Sequence, residues 1–173
     1  MRIISGGQTG VDRAALDAAI AYGIGYGGWC PRGGWAEDMP SPPGLLRHYP
    51  LLRETPTVNP AQRTEWNVRD SDAMLILVDA GGISISRGTA LGRNAAEREA
   101  KPVLTVDITA SDAPARAAQW LHAQLAAHGP DMALGIGGPR ESEARGIYAR
   151  ARSFIAVLLG TLPAEGAGQG GEL

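Results

Sequence analysis

The chain has 173 residues, 44% of them hydrophobic, and a formal net charge of −2. That length suits one domain with its own core, and near-neutral charge gives no bulk electrostatic case for a nucleic-acid or membrane partner. A single cysteine, Cys30, excludes an internal disulfide, and Met1-Arg2-Ile3-Ile4-Ser5-Gly6 lacks the apolar run of a secretory leader, so the expected compartment is the cytoplasm.

Arg2 to Ser5 reads as a short strand, Gly6-Gly7-Gln8-Thr9-Gly10 as a tight turn, and Val11 to Tyr22 as a helix with Val11, Ala14, Ala15 and Ala18 on its apolar side. The first N–H groups of such a helix have no internal partners, and an anion fits in front of them. A capping box between Thr9 and Asp12 accounts for the same residues without a ligand. The turn is not a Walker loop, which needs a lysine beside its Ser or Thr, because Lys101 is the sole lysine among 16 Lys and Arg residues. It also misses the dinucleotide fingerprint: Ser5 stands at the first glycine of G-x-G-x-x-G, and the next strand does not end in an acidic residue.

Gly23 stops the helix, and a second strand is expected from Ile24 to Trp29. Cys30 to Asp38, dense in turn formers and charge, opens a long irregular region that continues through Pro40, Pro42, Pro43 and Pro50, with a short extended piece near Leu51 to Thr55. Asn59 caps a helix with Pro60 at its first position, running to about Asp70. Ala73 to Asp79 is an unbroken apolar run ending in a carboxylate, the mark of a central parallel strand. A second glycine turn, Gly81 to Thr89, then leads to a helix from Ala90 to about Ala100.

Pro102 to Val106 reads as another strand, and Ser111 or Asp112 caps a helix carrying Ala117, Leu121 and Leu125. Met132 to Ile136 is the last strand, and Gly137 to Ser142 turns into a helix with Ile147, Ala151, Phe154, Ile155 and Leu158 on one stripe. Residues 1–160 thus form one Rossmann-like domain, and 161–173, poor in apolar residues, read as a flexible tail.

Alternating strands and helices predict an α/β fold, Rossmann-like and doubly wound, with a mainly parallel sheet and helices on both faces. The ligand belongs at the carboxyl ends of the strands, where both glycine turns would open onto one crevice. The expected binding set is Gly6, Gly7, Gln8, Thr9 and Gly10 from the first turn and Gly88 and Thr89 from the second, with Arg13, Arg32 and Arg87 as anion clamps and Arg140 as a further clamp. Trp29 and Trp35 flank the arginine loop and either stack a pterin or purine ring or cover the rim of the core. His48, His122 and His128 show no ligand spacing, so no metal site is expected.

Ser5 to Asp17, Gly28 to Gly33, Ala36-Glu37-Asp38, Arg63 to Asp72, Gly88-Thr89-Ala90-Leu91 and Gly138 to Ser142 together resemble the molybdenum carrier family. That family is similar to the molybdenum cofactor carrier proteins and sits in the Rossmann-like group that includes the cytokinin-activating phosphoribohydrolases. The resemblance implies a homo-oligomer, a dimer or a tetramer, holding molybdopterin cofactor or another nucleotide-like phosphate ligand. The phosphoribohydrolases close their second turn with a Glu in P-G-G-x-G-T-x-x-E, and here Gly92 occupies that place. Two functions therefore stand open: a binding or carrier protein for a phosphorylated pterin or nucleotide, and a nucleotide hydrolase using another carboxylate such as Asp12, Glu37, Asp38 or Glu97.

Overall fold

In a computed structural model, which describes residues 1–162, β1 (Arg2–Ile4) leads into α1 (Val11–Ala21) and then β2 (Gly25–Gly27). Two short strands, β3 (Trp29–Cys30) and β4 (Arg53–Glu54), precede α2 (Pro60–Arg69), β5 (Ala73–Val78) and α3 (Arg87–Arg98). The chain closes with β6 (Val103–Asp107), α4 (Ala113–His128), β7 (Ala133–Gly137) and α5 (Ile147–Leu159). Most of the expected tail, residues 163–173, lies outside the described residues.

Five strands pair in parallel in the order β2-β1-β7-β5-β6, so the last strand in sequence is the central one. The step from β1 to β2 runs in one direction along the sheet and the step from β5 to β6 in the other. Right-handed crossovers then place α1 and α3 on opposite faces. α1, α4 and α5 cover one face, over Ile3, Leu75, Leu77 and Leu134; α2 and α3 cover the other, where Val68, Met74, Ala95 and Ala96 pack. This is the Rossmann-like α/β architecture expected from the alternation of elements. β5 is buried at all six positions, as its unbroken apolar run requires.

β7 decides where that packing stops. Its sequence Ala-Leu-Gly-Ile-Gly sends Leu134 and Ile136 into the core beneath α1 and α5, while Gly135 and Gly137 give the opposite face no side chains. A Cβ on Gly135 would press on Met74 and Ser71. Met74 and Ser71 therefore cover the sheet at Gly135 on the α2 and α3 side, and Gly137, at the strand's end, lines an open space.

Several local expectations change. The second strand divides at Gly28, whose φ of +134° turns the chain, and a Cβ there would collide with the Ser5 carbonyl. Trp29 and Cys30 consequently leave the main sheet and pair with Arg53 and Glu54. The second helix keeps its expected start, with the Asn59 side chain accepting from the Ala61 N–H. α3 begins earlier than expected, at Arg87, because the Ser86 side chain caps it by accepting from the Thr89 N–H at 3.2 Å. The irregular region after Cys30 is packed: Cys30, Ala36, Leu45, Tyr49 and Leu52 form a second core against Leu16 of α1.

Candidate functional site

A cavity of about 810 Å³ opens at the carboxyl ends of β1, β7 and β5, beside Gly137. Ile4, Met74, Ile76 and Gly137 form its floor. One wall is α2, which presents Pro60, Arg63, Thr64, Asn67 and Val68. Those positions are i, i+3, i+4, i+7 and i+8, a single face of the helix. The opposite wall is the start of α3, from Ser86 to Gly92, so the two glycine turns share one cavity through Gly6, Gln8, Gly88 and Thr89.

In front of α1 the space is already used. The Arg63 guanidinium lies over Gly6, where a Cβ would collide with it, and its Nη1 donates to Asp12 Oδ2 at 2.6 Å. Both side chains are well buried, 14% and 8% exposed, so this is an ion pair facing the cavity and largely out of bulk water. The Val11 N–H donates to the Pro139 carbonyl at 3.2 Å. Thr9 and Asp12 do not form a capping box: Gly10 is the cap residue, with no side-chain bond, and the Thr9 hydroxyl donates to Glu37.

The start of α3 is more open. Ser86 takes the Thr89 N–H, while the N–H groups of Arg87 and Gly88 have no partner among the described residues. Arg87 is exposed and makes no ion pair or side-chain hydrogen bond among them. A Cβ on Gly88 would meet nothing within 4 Å. Gly92 lies one turn further on and also lines the cavity.

The other residues singled out in the sequence lie elsewhere. Gly7 packs where a Cβ would touch Leu52, Leu16 and Leu45. Gly10, with φ of +75°, lets the chain pass against the Pro139 carbonyl and Arg140 backbone. Arg13 is held away from the cavity by a bidentate pair with Asp38, at 3.0 and 3.1 Å, and by donation from its Nε to the Gly7 carbonyl. It braces the glycine turn from behind. Arg32 lines a separate shallow depression with Trp35, Pro40 and Pro42. Arg140 does reach the cavity, where Glu143 pairs with it at 3.4 Å and Glu37 at 3.7 Å.

Of the carboxylates weighed from the sequence, Asp12 alone lines this cavity; Glu143, which sequence reasoning passed over, joins it. Glu37 and Asp38 border a neighbouring depression, and Glu97 pairs with Arg93 on the surface of α3. Burial by itself would raise the Glu37 carboxyl, yet hydrogen bonds from Ser142 and Thr9 and the charge of Arg140 outweigh it and hold the group below its ordinary value. Among the described residues no group of three or more His, Cys, Asp or Glu side chains is placed to hold a metal ion.

The two tryptophans part company. Trp29 packs edge-on against Trp66, with ring centroids 4.6 Å apart, carries Arg53 over its face at 4.3 Å and donates from Nε1 to Asp70. It covers the rim of the core. Trp35 lines the cavity. The residue that sequence reasoning missed most plainly is Arg63. Its signal was present in the polar stripe Arg63, Thr64 and Asn67, which an amphipathic helix would not carry on an inward face without a reason.

Comparison with known proteins bears on this arrangement as a whole. A family model described as "Circularly permutated YpsA SLOG family" matches residues 3–159. A crystal structure from Syntrophus aciditrophicus SB, named "Putative molybdenum carrier protein", is 40% identical over 91% of this chain and 94% of its own, with a TM-score of 0.77. No curated protein sequence matches significantly. No helix among the described residues is long and apolar enough to cross a membrane. The matched span runs from β1 through α5 and so takes in both glycine turns, the α2 wall and the central strand; the chain belongs to the circularly permutated YpsA SLOG family and bears out its resemblance to the molybdenum carriers.

Proposed function

We propose that this chain binds and carries a phosphate-bearing small molecule in the cavity between α2 and α3, with molybdopterin cofactor as the first candidate and a nucleotide as the second. The observation that carries the reading is the start of α3: unpartnered N–H groups at Arg87 and Gly88 and the positive end of the helix dipole lie at a cavity that both residues line. The name of the Syntrophus aciditrophicus relative supports molybdopterin within that class. In this reading Gln8, Gly88, Thr89 and Arg87 contact ligand, while Gly6, covered by Arg63, and Gly7, Gly10 and Arg13 shape the turn beside it.

Mass spectrometry of ligand released from protein purified anaerobically tests the proposal directly. Calorimetry with a phosphate-bearing ligand should show weaker binding in Arg87→Ala and Gly88→Val at unchanged melting temperature. Wild-type affinity in both variants would remove the phosphate site from α3.

A hydrolytic function has one observation in its favour, the Asp12 carboxylate facing the cavity. Asp12 is committed to Arg63, and Gly92 offers no acid on α3, so turnover of AMP, GMP and CMP should stay near background. Free base released by wild type and abolished in Asp12→Asn would reverse that assignment.

A further inference from the structure

Gln8 is 8% exposed and lines the cavity, and its amide is fixed from behind. Its Oε1 accepts from the backbone N–H groups of Thr9 and Glu37, both at 3.0 Å. An amide nitrogen cannot accept those hydrogens, so the orientation follows from the bonds. The Nε2 group is left with two N–H donors that have no partner among the described residues. Trp35 lines the same cavity, which therefore offers both an aromatic side chain and a fixed pair of donors. The start of α3 belongs to β5, and β7 lies between the two strands. Two strand spacings separate the Gln8 end from the phosphate end by about 10 Å.

We propose that Gln8 and Trp35 form the ring end of the site, selecting a heterocycle whose edge presents an oxo acceptor in place of an amino group. This rests on the phosphate reading of α3 and adds the ligand class: a phosphorylated oxopurine or oxopteridine. Trp35 offers a stacking face and Gln8 donates to the oxo oxygen. Because its own oxygen is held by Thr9 and Glu37, Gln8 cannot turn over to accept from an amino group. An aminopurine brings its amino donor against the Gln8 donors where an oxopurine offers an acceptor, and keeps only its ring nitrogens to accept.

Calorimetry with IMP, GMP, AMP and neopterin monophosphate tests the proposal on the intact chain. The oxo ligands should bind at least about tenfold more tightly than AMP. Gln8→Glu keeps one oxygen for the Thr9 and Glu37 N–H groups and presents an acceptor to the cavity, so it should close or reverse the gap between IMP and AMP. Tight binding of the oxopurines without the pteridine names the source and agrees with the proposal provided that Gln8→Glu weakens it; tight binding of the pteridine alone, with IMP no better than AMP, overturns the oxo selection. Equal binding of IMP and AMP by wild type overturns it even if the variant does not fold, as does an unchanged preference in a folded Gln8→Glu. Arg87→Ala should weaken every phosphate ligand alike and leave the preference intact. Absence of binding by all four ligands would sink the phosphate reading and this one with it.

Discussion

Arg63 reaches across Gly6 to Asp12, its Nη1 2.6 Å from Oδ2, and the missing side chain at position 6 is what lets it pass. Glycine at this point of the turn thus serves an ion pair that closes the front of α1. Removing Arg63 would leave Asp12 buried without a counter-charge, so Arg63→Ala should destabilise the protein by about 3–5 kcal/mol in urea denaturation. Gly6→Ala should cost stability in the wild type, by displacing the guanidinium, and much less when Arg63 is already alanine. A coupling below about 0.5 kcal/mol in that double-mutant cycle would refute the steric link.

Gly10 and Gly88 should respond in opposite ways. A Cβ on Gly10 meets the Pro139 carbonyl at a backbone φ of +75°, so Gly10→Ala should lose more than about 2 kcal/mol of stability. Gly88 lies in the first turn of α3 with open space around it, and Gly88→Ala should gain about 0.5–1 kcal/mol. Thermal melts of the two variants decide the matter. A loss of ligand binding in a Gly10 variant would report on folding and leave the phosphate site untested.

Lys101 closes the carboxyl end of α2. Its Nζ donates to the carbonyls of Val68, Arg69 and Ser71 at 2.8, 2.5 and 2.6 Å, supplying a positive charge where the helix dipole is negative. Lys101→Met should cost about 2–3 kcal/mol, and Lys101→Arg should recover little of it, because a planar fork cannot converge on three carbonyls as an ammonium does. Equal melting temperatures for wild type and Lys101→Met would rule this role out.

Glu37 should shape acid stability. Its folded carboxyl lies below the ordinary value of 4.5, so the contribution is fully present above that pH and is lost as pH falls through the lower folded value. The stability difference between wild type and Glu37→Gln, followed by urea denaturation from pH 7 downward, should therefore narrow below pH 4.5. A difference that stays constant through that range would show that Glu37 does not hold its proton-linked bonds to Ser142, Thr9 and Arg140.

Local chemistry in the sequence determined the elements and much of their order. The apolar run Ala73 to Val78, the Asn59-Pro60 helix start and the glycine turn after Ile4 act through neighbours a few residues away, so one chain segment suffices to read them. The fold class followed from their alternation, and the motif around Gly6 to Asp17 identified the family.

What tertiary structure alone decided is which groups meet. β7 enters between β1 and β5, and Gly137 at its end borders the cavity; neither fact is visible until the strand order is known. Arg63 finds Asp12 across 51 residues, and Arg13, a neighbour of Asp12 in the chain, is drawn behind the turn by Asp38. The two arginines look alike in sequence, because charge and hydrogen-bonding capacity belong to the side chain. The partner that uses them is set by packing between distant segments.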